Sequence, residues 1–180
     1  ITDGEKFLEV IVAPSFTTDA LATLSARWKN IRLLEVGSLK RQQSWQQIRS
    51  VEGGYLVQEL GPVQAHPSTW QHVAGPAPTE QQLENGALAW ITCSYLKSNS
   101  ISIVAQQSLI GGGMGQVDRV SAARLAIQRA GERLAQSDNP VAGSDAFFPF
   151  PDAPQLLIDA GVTCIVQPGG SVRDQDTIDV

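Results

Sequence analysis

Short β-branched runs alternate with stretches of helical periodicity along nearly the whole chain, and this alternation restricts the fold more than any other feature. Phe7 to Ala13 reads Phe-Leu-Glu-Val-Ile-Val-Ala and stops at Pro14. A run of this kind is a strand, here expected to be buried on both faces. Thr17 or Thr18 is placed to cap a helix reaching about Trp28, with Leu21, Leu24 and Trp28 at helical spacing. Ile31 to Val36 supplies the next strand, and a strand–helix–strand unit of this size favours a right-handed parallel crossover. Further strands are expected at Tyr55 to Leu60 behind Gly53-Gly54, at Ser100 to Ala105, at Ser108 to Ile110 and at Val162 to Val166. The run Thr79-Glu80-Gln81-Gln82 is a capping box opening a helix to about Tyr95. A long helix is expected from about Asp118 to Leu134. Asp152 can cap another over Ala153 to Ala160, with Pro154 in its first turn and Gly161 ending it. The pattern predicts an α/β fold with a mostly parallel or mixed sheet.

Three segments break the alternation. Leu39 to Ile48 is polar, with Gln42, Gln43 and Gln46. Gly61 to Pro78 carries four prolines and reads as an irregular loop or interface arm. Ser137 to Asp152 reads as irregular as well. At 180 residues the chain is expected to form a single domain. Eighteen acidic against 13 basic residues leave a net charge of -5, which argues against a general nucleic-acid or membrane-surface binder. Apolar runs such as Ala87 to Ile91 are far too short for a transmembrane helix, and no signal segment opens the chain. Cys93 and Cys164 form no Cys-x-x-Cys pair and suit a reducing, cytoplasmic setting. The chain opens on Ile1 and closes at Val180 inside an expected helix, so it is expected to be a piece of a longer protein.

Four segments can carry chemistry. Gly111 to Gly115 lies between a strand and a helix, where backbone amides and the helix start favour an anion. Arg119 stands in that helix's first turn, where the dipole disfavours a cation unless an anion offsets it; a tight turn with a surface arginine is the equally plain alternative. Lys97-Ser98-Asn99-Ser100 bridges a helix and a strand. Asn99 there offers a donor and an acceptor, or else ends the helix. Asp145 to Asp152 holds Phe147, Phe148 and Phe150, which either stack on a planar ligand or plug the core. Gly169-Gly170-Ser171 repeats the strand-to-helix glycine turn. Two such turns suggest one cleft beyond the carboxyl ends of parallel strands. His66 and His72 lie in the Pro-rich arm without an evident partner. These residues alone describe a domain with an anion- and ring-binding cleft and no visible general base.

The same segments resemble one family closely. Lys97-Ser98-Asn99-Ser100, Gly111 to Val120, Ser144 to Asp152 and Gln167-Pro168-Gly169-Gly170-Ser171-Val172-Arg173-Asp174 look like the transformylase region of bifunctional purine-biosynthesis enzymes. These enzymes join aminoimidazole carboxamide ribonucleotide (AICAR) formyltransferase to IMP cyclohydrolase. Phe7 to Pro14, Leu33 to Val36, Gly53 to Gln58 and Pro78 to Trp90 also fit, in family order. The resemblance implies a three-layer, cytidine-deaminase-like α/β lobe with a mixed sheet flanked by helices, spanning residues 1–180 as one lobe with a Pro-rich arm at 61–78. It does not imply deaminase chemistry, since His-x-Glu and Pro-Cys-x-x-Cys are both missing.

The resemblance implies transfer of a formyl group from 10-formyltetrahydrofolate to AICAR. Asn99 and Arg119 would contact the nucleotide, and Phe147 would pack at its base. Val120, Asp152, Ser171 and Val172 would line the folate site. A monovalent cation (K+) held near Ser98, Ser100 and Asp145 is a further implication. The family's Lys-His pair, His as base and Lys as stabiliser, has no counterpart in this sequence, and sites in the family are built across a homodimer. The chain alone is therefore expected to be inactive. Rival readings are a non-catalytic nucleotide-binding or dimerisation module, and a stand-alone enzyme using a residue such as His66 as base.

Overall fold

The computed structural model describes residues 7–38, 45–60 and 63–180. The start of the polar stretch, 39–44, and of the Pro-rich arm, 61–62, lies outside the described residues. The chain divides into two compact units, Ile1–Pro62 and Val63–Val180.

In the first unit, β1 (Val10–Ala13) and β2 (Arg32–Glu35) pair in parallel, Val10 opposite Arg32, across α1 (Thr18–Arg27). Thr17 is the cap, its hydroxyl accepting from the Ala20 amide at 3.1 Å. Burial on both faces is not found. Val10, Val12 and Leu34 are 47%, 55% and 50% exposed, because no described element of this unit covers that face of a two-stranded sheet. β3 (Trp45–Val51) and β4 (Gly54–Leu60) form an antiparallel hairpin, with Ile48 opposite Val57. The sequence reading places no element where β3 lies. Its glutamines hide a strand that pairs along the whole length of β4.

The second unit is a three-layer α/β lobe. Its sheet has the order β6-β5-β7-β8, formed by β5 (Ile101–Ala105), β6 (Ser108–Gly113), β7 (Val141–Ser144) and β8 (Cys164–Val166). β5 is antiparallel to both neighbours and β7 is parallel to β8. Thus β6, β7 and β8 share one direction, the mixed sheet that the resemblance implies. α2 (Glu80–Tyr95), opened by the Thr79–Gln82 capping box, packs on one face. α3 (Arg119–Ala130) packs on the other, beside α5 (Asp152–Asp159). The expected long helix is broken: Gly131, at φ +54°, ends α3, and a single turn, α4 (Glu132–Ala135), follows. The chain closes with α6 (Asp174–Ile178). β7 is the main departure from the sequence reading, which leaves Ser137 to Asp152 irregular. Val-Ala-Gly-Ser has little β-branched character, yet all four residues are buried in the centre of the sheet.

Small residues set the spacing of the layers. A Cβ added to Gly113 would lie 1.9 Å from the Ala122 carbonyl oxygen, and one on Gly111 2.3 Å from that of Ala126. On the opposite face, a Cβ on Gly143 would meet the Ala89 carbonyl at 2.8 Å. The helices answer with Ala89, Ala122, Ala123, Ala126 and Ala130, all buried. Ile101, Ile103, Phe148 and Leu157 fill the rest of the core on the α3 side. In the arm, the Trp70 ring stands 6.4 Å from that of Trp90 and lies over Gly86.

Cys93 of α2 is buried against the sheet. Its thiol reaches the Ser100 and Gly143 carbonyls at 3.1 and 3.3 Å, and the Ser100 hydroxyl donates back to the Cys93 carbonyl at 3.1 Å. Burial pushes the Cys93 thiol above its ordinary pKa, helped by the negative charge of Asp145.

Two outcomes are expected. Gly113→Ala should destabilise the protein by about 3 kcal/mol, the cost of overpacking against a backbone carbonyl. Gly112→Ala is the control, since a Cβ there meets only Leu96 at 3.8 Å, and should change stability little; urea titration measures both. The raised thiol pKa also carries a sign. The unfolded chain gives up the Cys93 proton first, so this contribution is intact below about pH 9 and falls away as the pH rises through the folded value. Stability measured from pH 7 to 10 should therefore decline more steeply for the wild type than for Cys93→Ala.

Candidate functional site

Strand direction decides where the functional segments meet. With β6, β7 and β8 running one way and β5 the other, the loops after Gly113, Ser144 and Val166 leave the sheet at the end where the chain enters Ile101. This is the carboxyl end of the parallel strands, where ligands bind in open α/β sheets. All four segments singled out in the sequence emerge there.

The two glycine turns are not anion cradles. Gly111 to Gly113 belong to β6, where Gly111 and Gly113 allow the close approach of α3. Gly115 donates its amide to the Lys97 carbonyl at 2.7 Å. Gly170 donates to the Asp174 carboxylate at 2.7 Å. Their amides are spent inside the protein, which strand-to-helix position alone could not reveal.

Arg119 is the first residue of α3, next to the cap residue Asp118, whose carboxylate accepts from the Ser121 amide at 2.6 Å. That bond and the Ser121 hydroxyl hold the Asp118 carboxyl below the usual carboxylate range. Arg119 donates to Oδ1 of Asn99, and its other terminal nitrogen lies 3.4 Å from Oδ1 of Asp145. The same Asp145 oxygen accepts from the Ser100 amide at 3.1 Å. Asn99 is braced in turn: its Nδ2 donates to the Gln116 carbonyl at 2.9 Å, alongside the backbone bond from the Asn99 amide to that oxygen. One Nδ2 hydrogen remains for a ligand. The Arg119 Nε–H is buried and has no hydrogen-bond partner among the described residues.

Beside this cluster opens a cleft of about 360 Å³, lined by Asp118, Arg119, Val120, Arg124, Phe150 and Asp152 among others. The three phenylalanines divide the two roles weighed in the sequence. Phe148 is fully buried and plugs the core, its amide donating to Gln167 Oε1 at 3.1 Å. Phe147 and Phe150 are 40% and 50% exposed. Asp152 does not cap α5 from outside; it is the first helical residue, and Oδ1 accepts from the Ala153 amide at 3.0 Å. Val172 is fully exposed, and the Ser171 hydroxyl accepts from the Arg173 amide at 3.1 Å. Neither lines the cleft, but Arg173 sits over the Phe150 ring at 5.1 Å and ties their loop to its wall. The pairing of Phe150 with Arg173 is what sequence reasoning missed; it is a long-range cation–π contact that no local pattern encodes.

The residues around Ser98, Ser100 and Asp145 do not fit a cation. The Ser100 hydroxyl faces α2, and the Asp145 carboxylate already has the Arg119 guanidinium beside it. His66 is exposed and pairs with Gln64 at 2.7 Å, and neither it nor His72 lines the cleft. No helix among the described residues is long and apolar enough to cross a membrane.

A family model described as the AICARFT/IMPCHase bienzyme matches residues 2–129. Relatives extend the likeness over almost the whole chain. It is 45% identical over 180 residues to the bifunctional purine biosynthesis protein PurH of Cutibacterium acnes, covering 98% of this chain and 34% of that protein. It is 43% identical over 176 residues to PurH of Streptococcus suis, 97% of this chain and 34% of the relative. For PurH of Oceanobacillus iheyensis the identity is 40% over 177 residues, with 98% and 34% covered. The chain thus spans about a third of the length of the curated relatives it matches. By sequence and by the lobe it folds into, this chain belongs to the AICARFT/IMPCHase bienzyme family.

Proposed function

We propose that this chain supplies part of a formyl-transfer site acting on AICAR and 10-formyltetrahydrofolate in purine biosynthesis, within a protein that also carries IMP cyclohydrolase activity. The observation that carries this reading is the Asn99–Arg119 pair beside a cleft that also presents Val120 and Asp152. In this reading Arg119 and Asn99 hold the nucleotide, and Phe147 packs at its base. The guanidinium carries the charge that an anionic ligand group would pair with. Val120 and Asp152 in the cleft would face the folate, with Asp152 as the polar anchor, and Ser171 and Val172 would meet it from the loop beside the cleft.

The chemistry asks for more than this chain holds. The carboxamide nucleotide's amine is a weak nucleophile, so a base must take its proton as the formyl carbon is attacked, and a donor must stabilise the tetrahedral oxyanion. The cleft offers the carboxylates of Asp118 and Asp152 but no histidine. Asp118 is committed to capping α3 and is held ionised at low pH, a poor base. The base and the oxyanion donor therefore come from outside these 180 residues, in a homodimeric assembly, in the reducing cytoplasm that two free thiols suit.

Two measurements check this reading. Calorimetric titration of the chain with AICAR should give saturable binding, weakened about 10- to 100-fold in Arg119→Ala, the loss of charge-assisted hydrogen bonds. Equal affinity in both proteins would remove Arg119 from the site. The purified chain should show no formyl transfer at any pH; turnover would place a base within it, and loss of that turnover in His66→Ala would identify which.

A further inference from the structure

The Arg119 side chain has a structural problem that its ligand cannot solve alone. It is only 15% exposed and stands at the amino end of α3, where the helix dipole repels a cation. Asp145 is positioned to solve it. Its side chain is 13% exposed and its Oδ1 takes two donors, the Ser100 amide at 3.1 Å and the Arg119 guanidinium at 3.4 Å. Ser100 is itself immobilised. It is fully buried, its hydroxyl gives to the Cys93 carbonyl, and its own carbonyl takes the Cys93 thiol. A continuous set of contacts thus runs from the last turn of α2 through Cys93, Ser100 and Asp145 to the guanidinium. Asn99 fixes the same guanidinium from the other side.

We propose that Asp145 is a positioning residue: anchored on the Ser100 amide, it neutralises Arg119 and sets the direction in which the guanidinium meets its ligand. The inference rests on the nucleotide reading for what Arg119 holds, and on the geometry alone for what holds Arg119.

Asp145→Asn tests it, since an amide oxygen still accepts from Ser100 while the charge is gone. The unfolding midpoint should stay near that of the wild type. In NMR spectra the Arg119 guanidinium signals should be separate in the wild type, through hindered rotation, and should merge in Asp145→Asn. AICAR affinity should fall about tenfold, the loss of one charge-assisted contact. Asp145→Glu, which restores the charge, should recover part of both. Unchanged Arg119 signals in Asp145→Asn would overturn the proposal, as would an unchanged affinity where the wild type binds. Should the wild type bind no AICAR while the Arg119 signals still merge, the nucleotide reading falls and the positioning role stands. If Asp145→Asn does not fold, Arg119→Ala gives the reciprocal measurement. The Asp145 carboxyl carbon shift moves if the two side chains are coupled, and the proposal is overturned if it does not.

Discussion

The fit between α3 and β6 is the constraint on which the second unit depends. Gly111 and Gly113 leave no room for a methyl group beneath the carbonyls of Ala126 and Ala122. Interiors packed to this density transmit a displacement rather than absorb it. Arg119 is the first residue of the helix held this way, so the depth at which α3 sits also fixes where the guanidinium starts. Gly143 and Ala89 repeat the arrangement on the opposite face, setting the distance of α2 and with it the place of Cys93. The sheet is clamped between two helices at backbone contact, and the polar cluster is built on that clamp.

Local signals were legible where the responsible chemistry is local. The Thr79–Gln82 capping box, the Thr17 cap and the β-branched run of β5 need only neighbouring residues, and the elements stand where the sequence puts them. β7 was not legible. Val-Ala-Gly-Ser reads as a loop because Gly143 answers to an element far along the chain, packing against Ala89 of α2. A glycine inside a buried strand signals close backbone approach, but nothing before folding says that a strand is there. β3 was missed for a related reason, as its pairing with β4, not its composition, makes it a strand.

The site followed the same division. Residue types at the loops pointed to a ligand, and the fold gathers those loops at one end of the sheet. The roles within the loops needed three-dimensional contacts. Glycines that resemble an anion cradle serve packing, and one phenylalanine of three plugs the core. Asn99 and Asp145, 20 and 26 residues from Arg119, converge on it from different strands' ends. The family resemblance supplied the nucleotide and folate assignments, and residue chemistry alone stopped at a cleft that holds an anion and a ring.

The strand order has a consequence for the time at which the cleft comes into being. Its walls come from the amino end of α3 and from the segment joining β7 to α5, and the bond from Ser100 to Asp145 beside it closes across 45 residues. Contacts of such separation form late, because the chain must surrender the entropy of the intervening loop before they return anything. No helix or hairpin of this unit can carry a partial version of the cleft. Its competence to hold a ligand is a property of the finished sheet, and a ligand bound there would stabilise that sheet by mass action.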